Sequence, residues 1–194
     1  MQRIQSIQPE QAKGRTRELL DTVQASFGMV PNAVKVMANS PAVLDGFLAF
    51  ATAMGAARIG PKLHNQVKLT TSETNSCEYC TSILSATAPS AGLSAADIVA
   101  GRTGDSEDLR TREALAFARH VLESQGEVSN EQLSDLRKAG YGDVEIVEIV
   151  ASVVLGCFTN FLNNVAGTVL DIPKAEPLDA CTTTRCTAGA CSSN

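Results

Sequence analysis

The segment DVEIVEIVASVVLGCFTNFLNNVAG, ending at Gly167, places Ile146, Val150, Val153, Cys157, Phe161 and Val165 at intervals of three and four residues. That is the period of an α-helix, so these side chains are expected on one face as a buried seam. A helix this apolar belongs at the centre of a domain or at an interface between copies. No stretch of the chain stands out as a strand. Aromatic residues make up 4% of the sequence and Trp is absent, so Ala, Val, Leu and Ile must fill the core. That favours closely packed helices, and the expected fold class is all-α.

The rest of the chain is punctuated accordingly. Residues 10–26 read as an amphipathic helix, broken by Gly28 and Pro31. Ser40 then offers an N-cap with Pro41 at the first helical position. Gly60-Pro61 opens a helix with Leu63, Val67 and Leu69 on one broad face. Ser94 with Asp97, and Ser129 with Gln132, have capping-box spacing, and Ser106 is expected to cap the long helix between them. Gly140 supplies a stop. One domain is expected over residues 1–172. Residues 173–194 are small, polar and aperiodic, a tail expected to be mobile unless something ties it down.

Net charge is -5 and the basic residues are scattered, which argues against a nucleic-acid partner. No run is read as approaching the roughly 20 apolar residues of a membrane span, and MQRIQSIQPEQAKG lacks the apolar core of a secretory signal. The expectation is a cytoplasmic protein without a membrane partner. In a reducing compartment, close cysteine pairs are more often catalytic or metal-binding than structural.

Cys77 and Cys80 form such a pair, in SETNSCEYCTSILSA. After the break at Asn75-Ser76, Cys77 is expected in the first turn of a helix that runs to about Ala88. Free N–H groups and the helix dipole favour a thiolate there. Cys80 lies three residues on, on the same face, so the two can close a disulfide. The bland alternative is two buried, inert thiols. Zinc is the other chemical alternative. It would draw on Cys181, Cys186 and Cys191 of the tail, which has no His and no apolar anchor.

PKLHNQVKLTTSETNSCEYC, with FGMVPNAVKVMANSPAVLDGFLAF before it and EIVEIVASVVLGCFTNFLNNVAGT after it, resembles the peroxidase-related branch of the AhpD-like alkylhydroperoxidase and carboxymuconolactone decarboxylase family. The resemblance covers nearly all of the chain except the tail. It implies an AhpD-like helical bundle, homo-oligomers and a thiol peroxidase reaction without metal, flavin or haem. It also implies a hydroperoxide or disulfide as substrate and an external dithiol as reductant. By the resemblance Cys80 attacks and Cys77 resolves, whereas the dipole argument alone favours Cys77 as attacker.

The chain departs from the family's proton relay. A Glu twelve residues before the first cysteine and a His four after the second are replaced here by Asn65 and Leu84. Neither can take a proton at neutral pH. Glu73, two turns on from Asn65 along the same stripe, is the candidate replacement base. His64 points about 100° away from position 65 on an ideal helix. His120 reads as a surface residue, and Cys157 as a small core residue. The expectation is therefore a dithiol oxidoreductase. The alternative is a redox-sensing or thiol metal-binding oligomer that does not turn over. Lactone decarboxylation is disfavoured, because a dithiol has no part in that chemistry.

Overall fold

The computed structural model describes residues 2–178. Among them are nine α-helices and no strand, in agreement with the all-α reading. The order is α1 (Gly14–Phe27), α2 (Asn32–Met37), α3 (Pro41–Met54), α4 (Gly60–Thr74), α5 (Glu78–Thr87), α6 (Ala95–Thr103), α7 (Leu109–Glu123), α8 (Asn130–Lys138) and α9 (Asp143–Ala166). Short 3₁₀ turns at Pro9–Gln11 and Ala88–Ala91 complete the described part.

The punctuation largely does what its chemistry dictates. Ser40 Oγ accepts from Val43 N–H, with Pro41 behind it. The capping boxes of Ser94 with Asp97 and of Ser129 with Gln132 both close. Ser106 does not cap α7. Its hydroxyl accepts from Asp108 N–H, and Asp108 is the cap, with its carboxylate on Thr111 N–H. Where residues 10–26 read as one helix, the chain makes the 3₁₀ turn first and α1 begins at Gly14.

α4 is the axis of the bundle, with α5, α6, α7 and α9 all packed on it. One core joins α4, α7, α8 and α9 through Val67, Leu115, Phe117, Leu136, Ile149 and Val153. A second joins α1, α2 and α3 through Leu19, Leu20, Val34 and Leu44. α6 lies close against α4: a Cβ at Gly101 would sit 3.0 Å from Gln66 Cα. α9 lies closer still, since a Cβ at Gly156 would sit 2.8 Å from Thr71 Cγ2.

The seam predicted on α9 is only partly buried. Ile146 and Val153 are in the core, but Phe161 is 57% and Val165 60% exposed. The spacing explains this. Each four-residue step advances about 40° beyond a full turn, and three such steps after Val153 carry the row roughly 120° around the helix. The buried face there belongs to Asn160, Asn163 and Ala166. α9 also corrects the reading that no run is long enough for a span. It is 24 residues long with a mean hydropathy of 1.7 over its most apolar window. Packed against α3, α4, α5 and α7, it is here the apolar helix of a bundle.

Candidate active site

The turn that delivers Cys77 is built by the end of α4. Cys77 N–H donates to Ser72 C=O (2.9 Å) and Ser76 N–H to Glu73 C=O (3.0 Å), the bonding pattern of a Schellman motif. The position that glycine fills most easily in that motif is held by Ser76, in the left-handed region at φ 50°. Cys77, the residue after it, is the N-cap of α5 and not part of its first turn. Its Sγ accepts from Cys80 N–H at 3.4 Å. The pair thus spans N-cap to third residue, which brings the two thiols into hydrogen-bonding contact.

Both sulfurs are buried, with Cys77 1% and Cys80 3% exposed. They share a small cluster with Ala33 and Tyr79, flanked by Ile83 and Leu170. Asn163 Nδ2 on α9 donates to Cys80 Sγ at 3.2 Å. The Thr168 hydroxyl donates to Asn163 Oδ1 at 2.7 Å, which fixes the amide with its NH₂ toward the sulfur. Asn160 is completely buried; its Nδ2 donates to Ser72 Oγ, and its Oδ1 accepts from Asn75 Nδ2, both at 3.0 Å.

The consequence is a polarised pair. Hydrogen bonding from the Cys77 thiol, with further help from Asn163, Asn160 and Thr159, overcomes burial and brings Cys80 down to about 6. Cys77 moves the opposite way, well above the ordinary thiol value, because it donates to Cys80 and is itself buried. Lys68, half-buried on α4, is lowered by burial, and the Cys80 thiolate works against that lowering. The two shifts run in opposite directions, which favours the charge on Cys80 and the proton on Cys77. This reverses the dipole argument, which favours Cys77 as the thiolate.

A cavity of about 350 Å³ opens beside the pair, and Cys77 lines it, with Glu73, Ser82 and Arg102 in the same wall. Glu73 therefore does face the cavity, but its carboxylate accepts from Arg102 Nε at 2.5 Å. The other groups of the sequence reading lie elsewhere. Asn65 Nδ2 donates to its own helix at Pro61 C=O. Leu84 packs with Leu69, Ala88 and Leu93. His64 Nδ1 is 2.8 Å from Ser152 Oγ, and Ser152 lies eleven residues, about 16 Å of helix, from Asn163. His120 is exposed on α7. Cys157 is half-buried, with Asn75 Nδ2 3.6 Å from its sulfur.

The chain after α9 crosses this site. Asp171 accepts from the Tyr79 hydroxyl (2.8 Å) and from Asn32 N–H (2.7 Å). Lys174 pairs with Glu78. Ala175 N–H donates to Ser82 Oγ at 3.0 Å, and Arg102 donates to Glu176 C=O at 2.7 Å. The first residues of the expected tail are thus tied down, with Lys174, Ala175 and Pro177 lining the cavity. Cys181, Cys186 and Cys191 lie outside the described residues. Among the described residues, no three His, Cys, Asp or Glu side chains come together as a metal site.

Sequence reasoning missed Asn160, Asn163 and Lys68. The available signal was three asparagines, at 160, 163 and 164, in an otherwise apolar helix. A buried amide needs partners, and here a thiol is one of them.

Neither a scan against protein-family models nor a search of curated proteins returned a match. Solved structures do match. An alkylhydroperoxidase AhpD core, an uncharacterized peroxidase-related protein from Ralstonia eutropha JMP134, superposes with a TM-score of 0.75 at 22% identity, covering 88% of this chain and 92% of that one. A peroxidase-related protein from Silicibacter sp. TM1040 gives 0.70 at 22%, covering 79% and 83%. The debrominase Bmp8, as a cysteine-to-alanine variant in complex with 2,3,4-tribromopyrrole, gives 0.73 at 20%, covering 87% and 91%. The chain has the all-helical fold of the AhpD-like, peroxidase-related proteins.

Proposed function

We propose that this protein is a dithiol oxidoreductase that reduces a hydroperoxide at Cys80 and regenerates through Cys77. The observation that carries the reading is the geometry of the pair: two buried thiols in contact, Cys80 N–H donating to Cys77 Sγ and Asn163 Nδ2 3.2 Å from Cys80 Sγ, an arrangement that lowers Cys80 and raises Cys77.

The steps balance on these groups alone until the disulfide must be reduced. The Cys80 thiolate attacks the terminal oxygen of ROOH, the O–O bond breaks, and Cys80 becomes a sulfenic acid. The alkoxide takes the Cys77 proton and leaves as an alcohol. Cys77, now a thiolate at the N-terminus of α5, attacks the Cys80 sulfur and expels hydroxide, which takes up a proton to become water. An external dithiol reduces the disulfide. In this sequence the helix dipole assists the second step, and the amide of Asn163 the first.

Glu73 is assigned to the cavity wall and not to proton transfer. The Glu73 carboxylate is occupied by Arg102, which in turn holds Glu176 C=O. The proton that the missing relay would have handled is supplied by Cys77.

We also assign the protein to a homo-oligomer. Val147, Val154, Phe158, Phe161 and Val165 are each between 38% and 67% exposed on α9. Their positions fall within roughly 60° of one another around the helix, a contiguous apolar stripe. A cytoplasmic location accords with thiols that work in the reduced state.

A second chemistry has one observation in its favour, the likeness to the debrominase Bmp8. Attack of the Cys80 thiolate on a ring halogen would break the carbon–halogen bond and leave a sulfenyl halide on Cys80; the ring carbanion would take the Cys77 proton, and the Cys77 thiolate would then displace halide to close the disulfide.

The test is turnover of an alkyl hydroperoxide with dithiothreitol by the chelator-treated protein. Catalysis abolished by Cys80→Ser and reduced at least a hundredfold by Cys77→Ser supports the reading. A single oxidation of the pair without turnover supports a redox sensor instead. Turnover of a bromopyrrole but not of the peroxide supports the second chemistry.

A further inference from the structure

We propose that residues 171–177 form a strap that decides which dithiol can regenerate the pair. A small dithiol enters the cavity beneath it, and a protein dithiol is admitted only when the strap's outer end lifts. The proposal rests on the reading that Cys77 and Cys80 cycle through a disulfide.

The strap is fastened to the dithiol motif itself. Glu78 and Tyr79, the two residues between the cysteines, both hold it: Glu78 pairs with Lys174, and the Tyr79 hydroxyl donates to Asp171. Ala175 N–H donates to Ser82 Oγ on α5, and Glu176 C=O accepts from Arg102 on α6. Both helices contribute to the cavity wall, and Lys174, Ala175 and Pro177 complete it from the strap. Under this cover Cys77 is 1% and Cys80 3% exposed.

The two ends of the strap are held unequally. Among the described residues, no backbone group between 169 and 178 bonds to another backbone group, so the strap's place depends on side chains. At the inner end Asp171 accepts two bonds, from the hydroxyl of buried Tyr79 and from Asn32 N–H. At the outer end the side chains of the Lys174–Glu78 pair are 65% and 55% exposed, and exposed ion pairs contribute little. The bond from Arg102 to Glu176 C=O is exposed as well. A segment held this way opens locally without unfolding the bundle, and the outer end lifts while Asp171 stays.

The cavity sets the point of attack. Cys77 is in its wall and Cys80 is not, so an incoming thiolate meets Cys77 Sγ. It bonds to that sulfur as the Cys77–Cys80 bond breaks, and the electron pair leaves on Cys80, to which Asn163 Nδ2 donates. The second thiol of the reductant then attacks the first and closes the reductant's own disulfide, while Cys77 departs and takes up a proton. A cavity of about 350 Å³ holds a small dithiol. A protein surface cannot follow its cysteine into that space while the strap is closed.

The experiment uses the full chain with the tail cysteines replaced by serine and the pair oxidised by diamide. Reduction of the disulfide is followed by acid quench, alkylation and mass spectrometry, with dithiothreitol and with reduced thioredoxin. Lys174→Glu/Ser82→Ala removes two of the three outer bonds. Thioredoxin should reduce that variant about tenfold faster than the protein with its strap unaltered, and dithiothreitol should differ by less than twofold. Lys174→Glu alone, a surface change, should give about threefold with thioredoxin. Adding Glu78→Lys to it restores the ion pair with its charges exchanged and should return the rate to the starting value. Unchanged thioredoxin rates, or equal acceleration with both reductants, overturn the strap's role and leave the dithiol reading intact. A pair that diamide does not join overturns the dithiol reading, and the proposal with it.

Discussion

Asn163 Nδ2 sits 3.2 Å from Cys80 Sγ, although 83 residues separate them in the chain. Replacing Asn163 with Leu removes a hydrogen bond to a charged sulfur, an interaction of about 1.5–3 kcal/mol. A change of about 1.4 kcal/mol is one pKa unit. The Cys80 pKa should therefore rise by roughly one to two units. At pH 6.5 the rate of iodoacetamide alkylation should fall about three- to twenty-fivefold, with the deficit shrinking above pH 9. A pH–rate profile of alkylation checks this.

Glu73→Gln separates a base from a wall residue. If Glu73 takes the proton, turnover should fall by about 10²-fold or more. The ion pair with Arg102 predicts a smaller effect, within about threefold, and an unchanged pH midpoint near 6. The kcat/KM profile of Glu73→Gln against the unaltered protein distinguishes these results.

His64 links the core to acid. Burial, with the nearby Lys68 ammonium, lowers it to about 4 from 6.5. A folded-state pKa below the unfolded one stabilises the protein above pH 6.5, and that contribution is lost as pH falls toward 4. At most about 3 kcal/mol is involved. Urea unfolding of His64→Gln and the unaltered protein at pH 7.0, 5.5 and 4.5 should show a stability gap that narrows with acid.

Gly156→Ala tests the contact between α4 and α9. Helix propensity alone favours alanine by about 1 kcal/mol. The new Cβ would meet Thr71 Cγ2 at 2.8 Å, and its Cβ at 3.1 Å, an overpacking that costs about 1–3 kcal/mol. The melting temperature should fall, and adding Thr71→Ser, which deletes the methyl, should recover most of the loss.

The bundle was largely legible because its signals are local. Ser40-Pro41, Gly60-Pro61, the two capping boxes and Gly140 each act within a few residues, and each stands where its chemistry puts it. Ser106 and Asp108 compete two residues apart for one helix end, and the carboxylate takes the N–H. Sequence puts Cys77 one turn position too far into α5, because serine at 76 gives no sign of the left-handed conformation that glycine would announce. The drift of the α9 row off the buried face is present in its spacing, as a run of fours.

The site was half legible. The two cysteines and their shared face follow from their spacing. Which sulfur carries the charge does not, because Asn163, Asn160 and Lys68 reach the pair from other helices. Glu73, offered by helical spacing as a replacement base, lines the cavity, where Arg102, 29 residues on, holds its carboxylate. The extended segment at 171–176 has no periodicity to read, and only its partners on Tyr79, Glu78, Ser82 and Arg102 give it a place.

The central claim is that Cys80 carries the thiolate while Cys77 keeps its proton. The most direct measurement is thiolate absorbance at 240 nm against pH, for the unaltered protein and for Cys80→Ser, both with the tail cysteines replaced by serine. A transition with a midpoint near 6 that disappears in Cys80→Ser is the predicted result. A first transition near 9, or one near 6 that survives in Cys80→Ser and is lost in Cys77→Ser, would contradict it.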